Sequence, residues 1–148
     1  MMPVPETSLL PLFVAGLLLG GCGDGPPSTP AAADTTYGAA VNATDAIPAP
    51  AVAAEPDRYV GRRVTVDGRI GAVAQDGCTA SLQTDGGPPL RIDAPRDRAG
   101  ACAWRLPAGR DGIAAATGTL RVERDTLRLP ANGVQVTPLR PAGTKSAP

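Results

Sequence analysis

Apolar and polar side chains alternate along a segment that begins shortly after residue 60. One set of positions holds Val64, Val66, Gly68, Ile70 and Ala72, and the intervening positions hold Arg63, Thr65, Asp67, Arg69 and Gly71. A period of two places successive side chains on opposite faces of a β-strand, so this pattern predicts a strand with one buried face. The glycine in its middle, Gly68, predicts a bulge or a sharp bend.

Further segments with the same alternation follow, each bounded by glycine, proline, aspartate or asparagine. The predicted strands cover residues 78–83, 90–94, 113–123 and 127–136. The Asp-Gly pair at 76–77 and the Arg-Asp pair at 124–125 predict tight turns, and the Asn-Gly pair at 132–133 predicts a kink inside the last strand. Residues 95–112 lose the alternation and contain several glycines and prolines, which predicts a long irregular connection.

Five short strands, a long connection before the fourth, and glycines within the first and fourth strands resemble an OB-fold. The segments 61–70, 77–82 and 118–120 are similar to those of small OB-fold proteins of the bacterial envelope. The resemblance implies an all-β fold, a small five-stranded OB-like barrel over residues 58–140. A small β-sandwich has the same local pattern and is the alternative. We expect residues 141–148 to form a loose tail.

The N-terminal region holds an uncharged apolar segment, residues 9–21. As a helix it would rise about 20 Å, less than the roughly 30 Å of a bilayer core, which favours a secretion signal over a membrane span. The adjoining sequence Leu19-Gly20-Gly21-Cys22 resembles a bacterial lipobox. The resemblance implies a signal peptide over residues 1–21 and a lipoprotein whose Cys22 carries diacylglycerol and palmitate. A short buried helix with a free cysteine is the alternative.

The residue after the lipid-bearing cysteine bears on location. In the lipoproteins that this segment resembles, aspartate at that position favours retention in the inner membrane, and this chain has Gly23 instead. The resemblance therefore favours the outer membrane, facing the periplasm, over the inner membrane. Two or more acyl chains bury enough methylene groups for a stable anchor.

Residues 22–57 are predicted to form a flexible linker. Of the 35 residues from 23 to 57, 20 are alanine, glycine or proline, and large apolar residues are nearly absent. Such a segment cannot offset the conformational entropy lost on its own ordering. The charge changes at the same point, since residues 1–57 carry a net charge of −6 and residues 58–148 a net charge of +6. An acidic spacer before an arginine-rich folded unit is predicted.

Two cysteines, Cys78 and Cys102, remain inside the predicted barrel. In an exported protein they would lie in an oxidising compartment, where a disulfide is the default state. The bridge would tie the long connection at 95–112 to the second strand, and Trp104 would help that connection to cap the barrel. Two buried thiols and a metal site are the alternatives.

The composition argues against most catalytic chemistry. The chain has no histidine, the commonest general base and metal ligand, and 13 of its 14 basic residues are arginine. No nucleophile beside a base, no paired carboxylates in an apolar setting and no glycine-rich phosphate loop can be recognised in the sequence. We therefore expect no catalytic residues, no cofactor and no resident metal.

In OB-folds, ligands commonly lie across the second and third strands. By that resemblance the candidate ligand face contains Gln75, Thr79, Ser81, Gln83, Arg91 and Arg124. None of these residues is aromatic, whereas binding of single-stranded nucleic acid needs aromatic stacking platforms, so no nucleic-acid partner is expected. The expected partners are the membrane, through the lipid anchor, and envelope proteins, glycans or anionic lipid head groups.

Together these features predict a lipid-anchored envelope protein that presents a small β-barrel as a non-catalytic binding or assembly module. A flexible linker would hold that barrel clear of the lipid surface. The alternative is a structural or stress-related subunit of an envelope complex that binds no small ligand.

Overall fold

A computed structural model describes residues 33–139, so the lipobox with Cys22, the apolar segment before it and the C-terminal tail lie outside the described residues. The elements are β1 (Thr35–Gly38), β2 (Ile47–Pro48), α1 (Ala49–Ala54), a 3-10 turn (Pro56–Arg58), β3 (Arg63–Val73), β4 (Thr79–Leu82), β5 (Leu90–Asp93), β6 (Ile113–Thr119), β7 (Arg121–Glu123) and β8 (Thr126–Thr137). Within this range, no helix has the length and apolar composition needed to cross a membrane.

Five of the strands close into a barrel. β3 pairs with β4, β4 with β5, β5 with β8, β8 with β6, and β6 returns to β3. The β5–β8 pair is parallel and the other four pairs are antiparallel. The prediction of a small five-stranded all-β barrel of the OB type is confirmed, and the closed ring replaces the alternative of two packed sheets.

The alternation that predicted the strands matches the alternation of burial, except at Ala72, which was predicted to face inward and is exposed because the register shifts after Ile70. The apolar side chains of the barrel strands fill its interior: Val66, Ile70, Ala80, Leu82, Leu90, Ile92, Ala114, Ala116, Leu127, Leu129, Val134 and Val136. Their polar neighbours in the sequence lie on the outer surface, and among residues 33–139 no polar or charged residue is buried. Burial of one strand face removes apolar surface from water, which stabilises the barrel.

The bend in β3 occurs at a different glycine from the predicted one. The register shifts between Ile70 and Ala72, so the irregularity is at Gly71, while Gly68 lies in a regular ladder opposite Ala114. Gly68 has another role, because a Cβ atom there would lie 3.0 Å from the Cβ of Ala49 in α1. The lack of a side chain at Gly68 therefore lets α1 approach the barrel closely.

The predicted fourth strand is divided at Leu120 into β6 and β7. Leu120 N–H donates to the carbonyl of Arg62, the residue before β3. Arg124 and Asp125 join β7 to β8 with positive φ angles of 48° and 61°, the geometry of a tight hairpin turn. β8 contains an irregularity opposite Ala116 and Gly118, at the predicted kink.

The structure differs from the predicted linker over residues 35–57. β1 pairs with β8, β2 pairs with β3, and α1 buries Ala49, Val52 and Ala53 against the barrel. Small residues suited this segment to close packing, although they made it resemble a spacer. Pro50 in the first turn of α1 costs no helix hydrogen bond. Residues 35–57 therefore belong to the folded unit, which was predicted to start at residue 58.

The long connection between β5 and β6 is fastened at two points. The predicted disulfide joins Cys78 to Cys102, with their Cα atoms 5.9 Å apart. Beside it, Arg96 Nη2 forms an ion pair with Asp76 Oδ2 at 2.6 Å. Trp104 is only 3% exposed, and its Nε1–H donates to the carbonyl of Ala131 in β8 at 2.7 Å. The connection thus covers one end of the barrel, as the sequence predicted.

Replacement of Val52 by alanine tests the packing of α1. Val52 is 0% exposed, and the loss of two buried methyl groups is expected to lower the free energy of unfolding by about 2 kcal/mol. Urea denaturation followed by circular dichroism measures this change. The same substitution at Val60, which is 38% exposed, is the matched control and should have a much smaller effect. Equal stability of V52A and the wild type would contradict the packing of residues 49–53.

Candidate functional site

An open cleft of about 710 Å³ lies where β5, β7 and β8 meet on the outer face of the barrel. It is lined by Arg91, Glu123, Arg124, Thr126 and Arg128. The strand period creates this surface, because Arg91 and Arg128 occupy outward positions between buried leucines and isoleucine. The hairpin turn at 124–125 adds Arg124 at the rim.

Three arginines lie side by side across the strands, and two of them, Arg91 and Arg128, line this cleft. Arg128 of β8 is in register with Arg91 of β5 on one side and with Arg121 of β7 on the other. We call these residues the arginine row. Like charges in directly opposed positions destabilise a sheet unless they are neutralised. Negative charge beside the row would therefore relieve this repulsion.

Only the middle residue of the arginine row is neutralised within the described part of the chain. Arg128 Nη1 donates to Glu123 Oε2 at 2.7 Å, and Arg128 Nε lies 3.0 Å from Asp93 Oδ2. Over residues 33–139, Arg91, Arg121 and the neighbouring Arg124 form no ion pair. At the cleft, the positive charges of Arg91 and Arg124, unpaired within the described range, therefore lie beside Arg128, which is paired with Glu123 and Asp93.

The ion pair between Glu123 and Arg128 shifts the pKa of each residue in the direction that favours its charged form. The hydrogen bond from Arg128 and its positive charge lower the pKa of Glu123 below the ordinary value of 4.5. The hydrogen bond to Glu123, followed by the charge of Asp93, raises the pKa of Arg128. Both groups are ionised at neutral pH, and their ion pair joins a side chain of β7 to one of β8 at the cleft.

Replacement of Arg128 by alanine is expected to raise the pKa of Glu123 toward 4.5. Because the pKa of Glu123 is lowered in the folded state, its ion pair stabilises the fold above the ordinary pKa, and this contribution is lost as the pH falls through the lowered value. An NMR titration into the acidic range measures the pKa of the Glu123 carboxyl in the wild type and in R128A. Arg63→Ala is the control, since Arg63 lies on β3 away from the cleft. An unchanged Glu123 pKa in R128A would contradict the ion pair.

Two smaller clefts continue the surface over β4 and β5. One, of about 310 Å³, shares Glu123 and Arg128 with the first and also contains Thr79, whose hydroxyl donates to Asp93 Oδ1 at 2.9 Å. The other, of about 260 Å³, shares Arg91 and contains Ser81. In the part of the chain that the structure describes, no group of three or more cysteine, aspartate or glutamate residues is placed to hold a metal ion.

The structure brings together four of the six residues predicted for the ligand face. Thr79, Ser81, Arg91 and Arg124 line the three clefts. Gln75 is exposed in the turn before β4, and Gln83 is exposed just after β4; neither lines a cleft.

The sequence prediction omitted residues that are central to the cleft, namely Glu123, Thr126 and Arg128. The period of two already places Arg128 on the outer face. Its position beside Arg91 depends on the parallel pairing of β5 with β8, which no local pattern in either strand reveals.

No protein-family model matches the sequence, and no curated protein matches it. Among solved structures, the chain is similar to a putative aspartyl-tRNA synthetase from Leishmania major Friedlin, with a TM-score of 0.48 and 16% identity. The similarity covers 68% of this chain and 22% of that chain. A likeness at this level carries no argument about function.

Proposed function

We propose that this protein is a lipid-anchored component of the bacterial cell envelope whose barrel is a non-catalytic binding module for anionic groups, either phosphate or carboxylate. The arginine row carries the proposal, since two of its three members and the adjacent Arg124 have no carboxylate partner among the described residues. A ligand anion would supply the negative charge that the row lacks.

The cleft suits recognition of an anion more than general attraction. Arginine presents a planar fork of donors that matches phosphate and carboxylate oxygens. Glu123 and Asp93 fix the position of the Arg128 side chain through ion pairs. Arg128 therefore forms part of the cleft wall, but its side chain is not free to move onto the ligand. Arg91 and Arg124 flank it on the cleft wall and are exposed. These two residues would make the direct contacts.

The proposed location rests on two features of the sequence and structure. The lipobox-like sequence that ends at Cys22 is the expected attachment point, with Gly23 favouring the outer membrane. The disulfide between Cys78 and Cys102 is typical of a protein in an oxidising compartment such as the periplasm.

Titration of the full chain with pyrophosphate and with galacturonic acid oligomers tests the proposed binding. Saturable chemical-shift changes are expected at β5, β7 and β8 for at least one of these anions. In the variant R91A/R124A, each lost charged donor is expected to weaken binding by about tenfold.

The matched control is R63A/R98A, which removes the same charge from exposed positions that line none of the three clefts. It should bind like the wild type. Equal weakening in the control would reduce the effect to nonspecific charge attraction, and a lack of saturable binding to either anion would contradict an anion site.

A second candidate function is that of a subunit in an envelope complex without a small ligand. Val122 favours it, because this apolar side chain is 51% exposed on β7 beside the cleft. Crosslinking in intact cells through a photoreactive residue at position 122 should then capture one defined envelope protein, whereas the same residue at position 63 should not. Similar capture at both positions would contradict this candidate.

A further inference from the structure

The described chain starts at one end of the last two barrel strands. Asp34 lies directly before β1 and accepts hydrogen bonds from Gln135 Nε2 and Thr137 Oγ1, both at 2.8 Å. Thr137 is in register with Ile113, where β6 begins and β8 ends. We call the end of the barrel formed by Asp34, Ile113 and Thr137 the anchor pole, because the segment from Cys22 joins the barrel there.

The candidate cleft lies at the opposite end of β8. This strand begins at Thr126, which is in register with Glu123 of β7, and both residues line the cleft. It ends at Thr137 in the anchor pole. Because β8 contains 12 residues, the path along it measures about 36 Å at roughly 3.3 Å per residue.

The folding of residues 35–57 shortens the chain between the lipid and the barrel. From Cys22 to Asp34 there are 12 residue steps, which span at most about 43 Å when fully extended. If the chain were free through residue 57, the corresponding limit would be about 130 Å. The usual size relation for a domain of this length gives a radius of gyration of about 13 Å, which corresponds to a sphere with a radius of about 17 Å.

This limit restricts how the barrel can face the membrane. If the anchor pole pointed away from the bilayer, the connecting chain would first have to pass around a quarter of the circumference of the domain, about 27 Å. It would then have to extend one further radius, about 17 Å, to reach the lipid. The sum equals the full extension of the segment, which chain entropy strongly disfavours. With the anchor pole toward the bilayer, the same segment needs little extension.

We infer that the lipid anchor holds the anchor pole toward the bilayer and the cleft with the arginine row away from it. The head groups of the membrane that holds the protein would then not be the source of the anionic ligand. The inference rests on the proposed lipid anchor at Cys22. It adds the orientation of the barrel.

Two exposed apolar residues offer matched labelling positions. Val122 lies on β7 at the cleft end and is 51% exposed, and Leu139 lies two residues beyond Thr137 and is 36% exposed. In each variant, V122C or L139C, the added thiol is the reactive one, because Cys78 and Cys102 form a disulfide and Cys22 would carry lipid. The full lipidated chain is reconstituted into phosphatidylcholine vesicles that contain a lipid with a nitroxide quencher on its head group.

The fluorescent label on L139C should be quenched severalfold more than the label on V122C. Insertion of 30 Gly/Ser residues after Thr29 is the control. The labels on L139C and V122C should then be quenched to a similar extent, because the longer segment permits every orientation of the barrel. Equal quenching without the insertion, or stronger quenching of V122C, would overturn the orientation.

A separate measurement keeps failure of the anchor distinct from failure of the orientation. The wild type should sediment with the vesicles, and C22S should not. If the wild type fails to sediment, or C22S sediments equally, the proposed lipid anchor is wrong. If sedimentation behaves as expected and the two labels are quenched equally, the anchor stands and the orientation is wrong.

Discussion

Replacing Trp104 with alanine is expected to lower the free energy of unfolding by about 4 kcal/mol, among the largest effects for a single side chain. Trp104 is 3% exposed, so its removal leaves a cavity between the long connection and the barrel. The substitution also removes the hydrogen bond to the carbonyl of Ala131 in β8. Because Trp104 is the sole tryptophan of the chain, unfolding in urea should be followed by circular dichroism at a β-sheet wavelength.

Trp104→Phe separates the two contributions. Phenylalanine keeps most of the apolar volume but cannot donate to Ala131, so about 1–2 kcal/mol of the loss should remain. A midpoint for W104A equal to that of the wild type would contradict the packing of the connection. Equal losses in W104F and W104A would assign the whole effect to the hydrogen bond.

Removal of the disulfide in the double variant C78A/C102A is expected to lower the free energy of unfolding by about 3.5 kcal/mol. The bridge closes a loop of 25 residues, counted from the separation of 24, and so restricts the unfolded chain. Cys78 is 1% exposed, so alanine at that position also removes one buried sulfur atom. The expected loss is a large fraction of the stability of a typical small domain.

Reduced wild-type protein is the matched control for the double variant, since it lacks the bridge but keeps both sulfur atoms. Its midpoint in urea should fall to nearly that of C78A/C102A. Alkylation of Cys78 and Cys102 before reduction, in protein isolated from its own cells, would show that the bridge is absent there. A double variant as stable as the oxidised wild type would contradict a stabilising role.

The barrel strands could be predicted from sequence because burial on one face of a strand produces a local signal. The alternation from Val64 to Ala72 belongs to β3, and the turn at 124–125 is a hairpin. In these segments the residue types depend on burial and turn geometry that are set within a few residues along the chain. Such local signals extend to the kink at 132–133 and to the irregular connection at 95–112.

The packing of residues 35–57 could not be predicted in the same way. Ala49 and Ala53 pack closely because Gly68 of β3 and Gly87 of the β4–β5 loop leave room for α1, and both glycines are distant from α1 in the sequence. Alanine and proline in a linker have the same composition as alanine and proline in a closely packed segment. Only the shape of the surface beneath them distinguishes the two.

The candidate site was predictable in part for a related reason. Arg91 and Arg124 could be placed by the OB-fold resemblance and the strand period. The arginine row was not predictable, because the register of β5 with β8 pairs residues such as Arg91 and Arg128 that are far apart in the chain. Glu123 is placed beside Arg128 by the local β7–β8 hairpin.

The attachment of β1 to β8 determines how the molecule responds to mechanical load. β1 runs antiparallel to the end of β8, from Thr35 opposite Val136 to Gly38 opposite Gly133. When Asp34 is pulled along the strand axis while the far end of β8 is held, the force acts across the inter-strand hydrogen bonds in shear. These bonds then share the tension instead of opening one after another. Tension on the N-terminal segment therefore meets its resistance first in this short ladder, while the disulfide-linked part of the barrel lies outside the line of force.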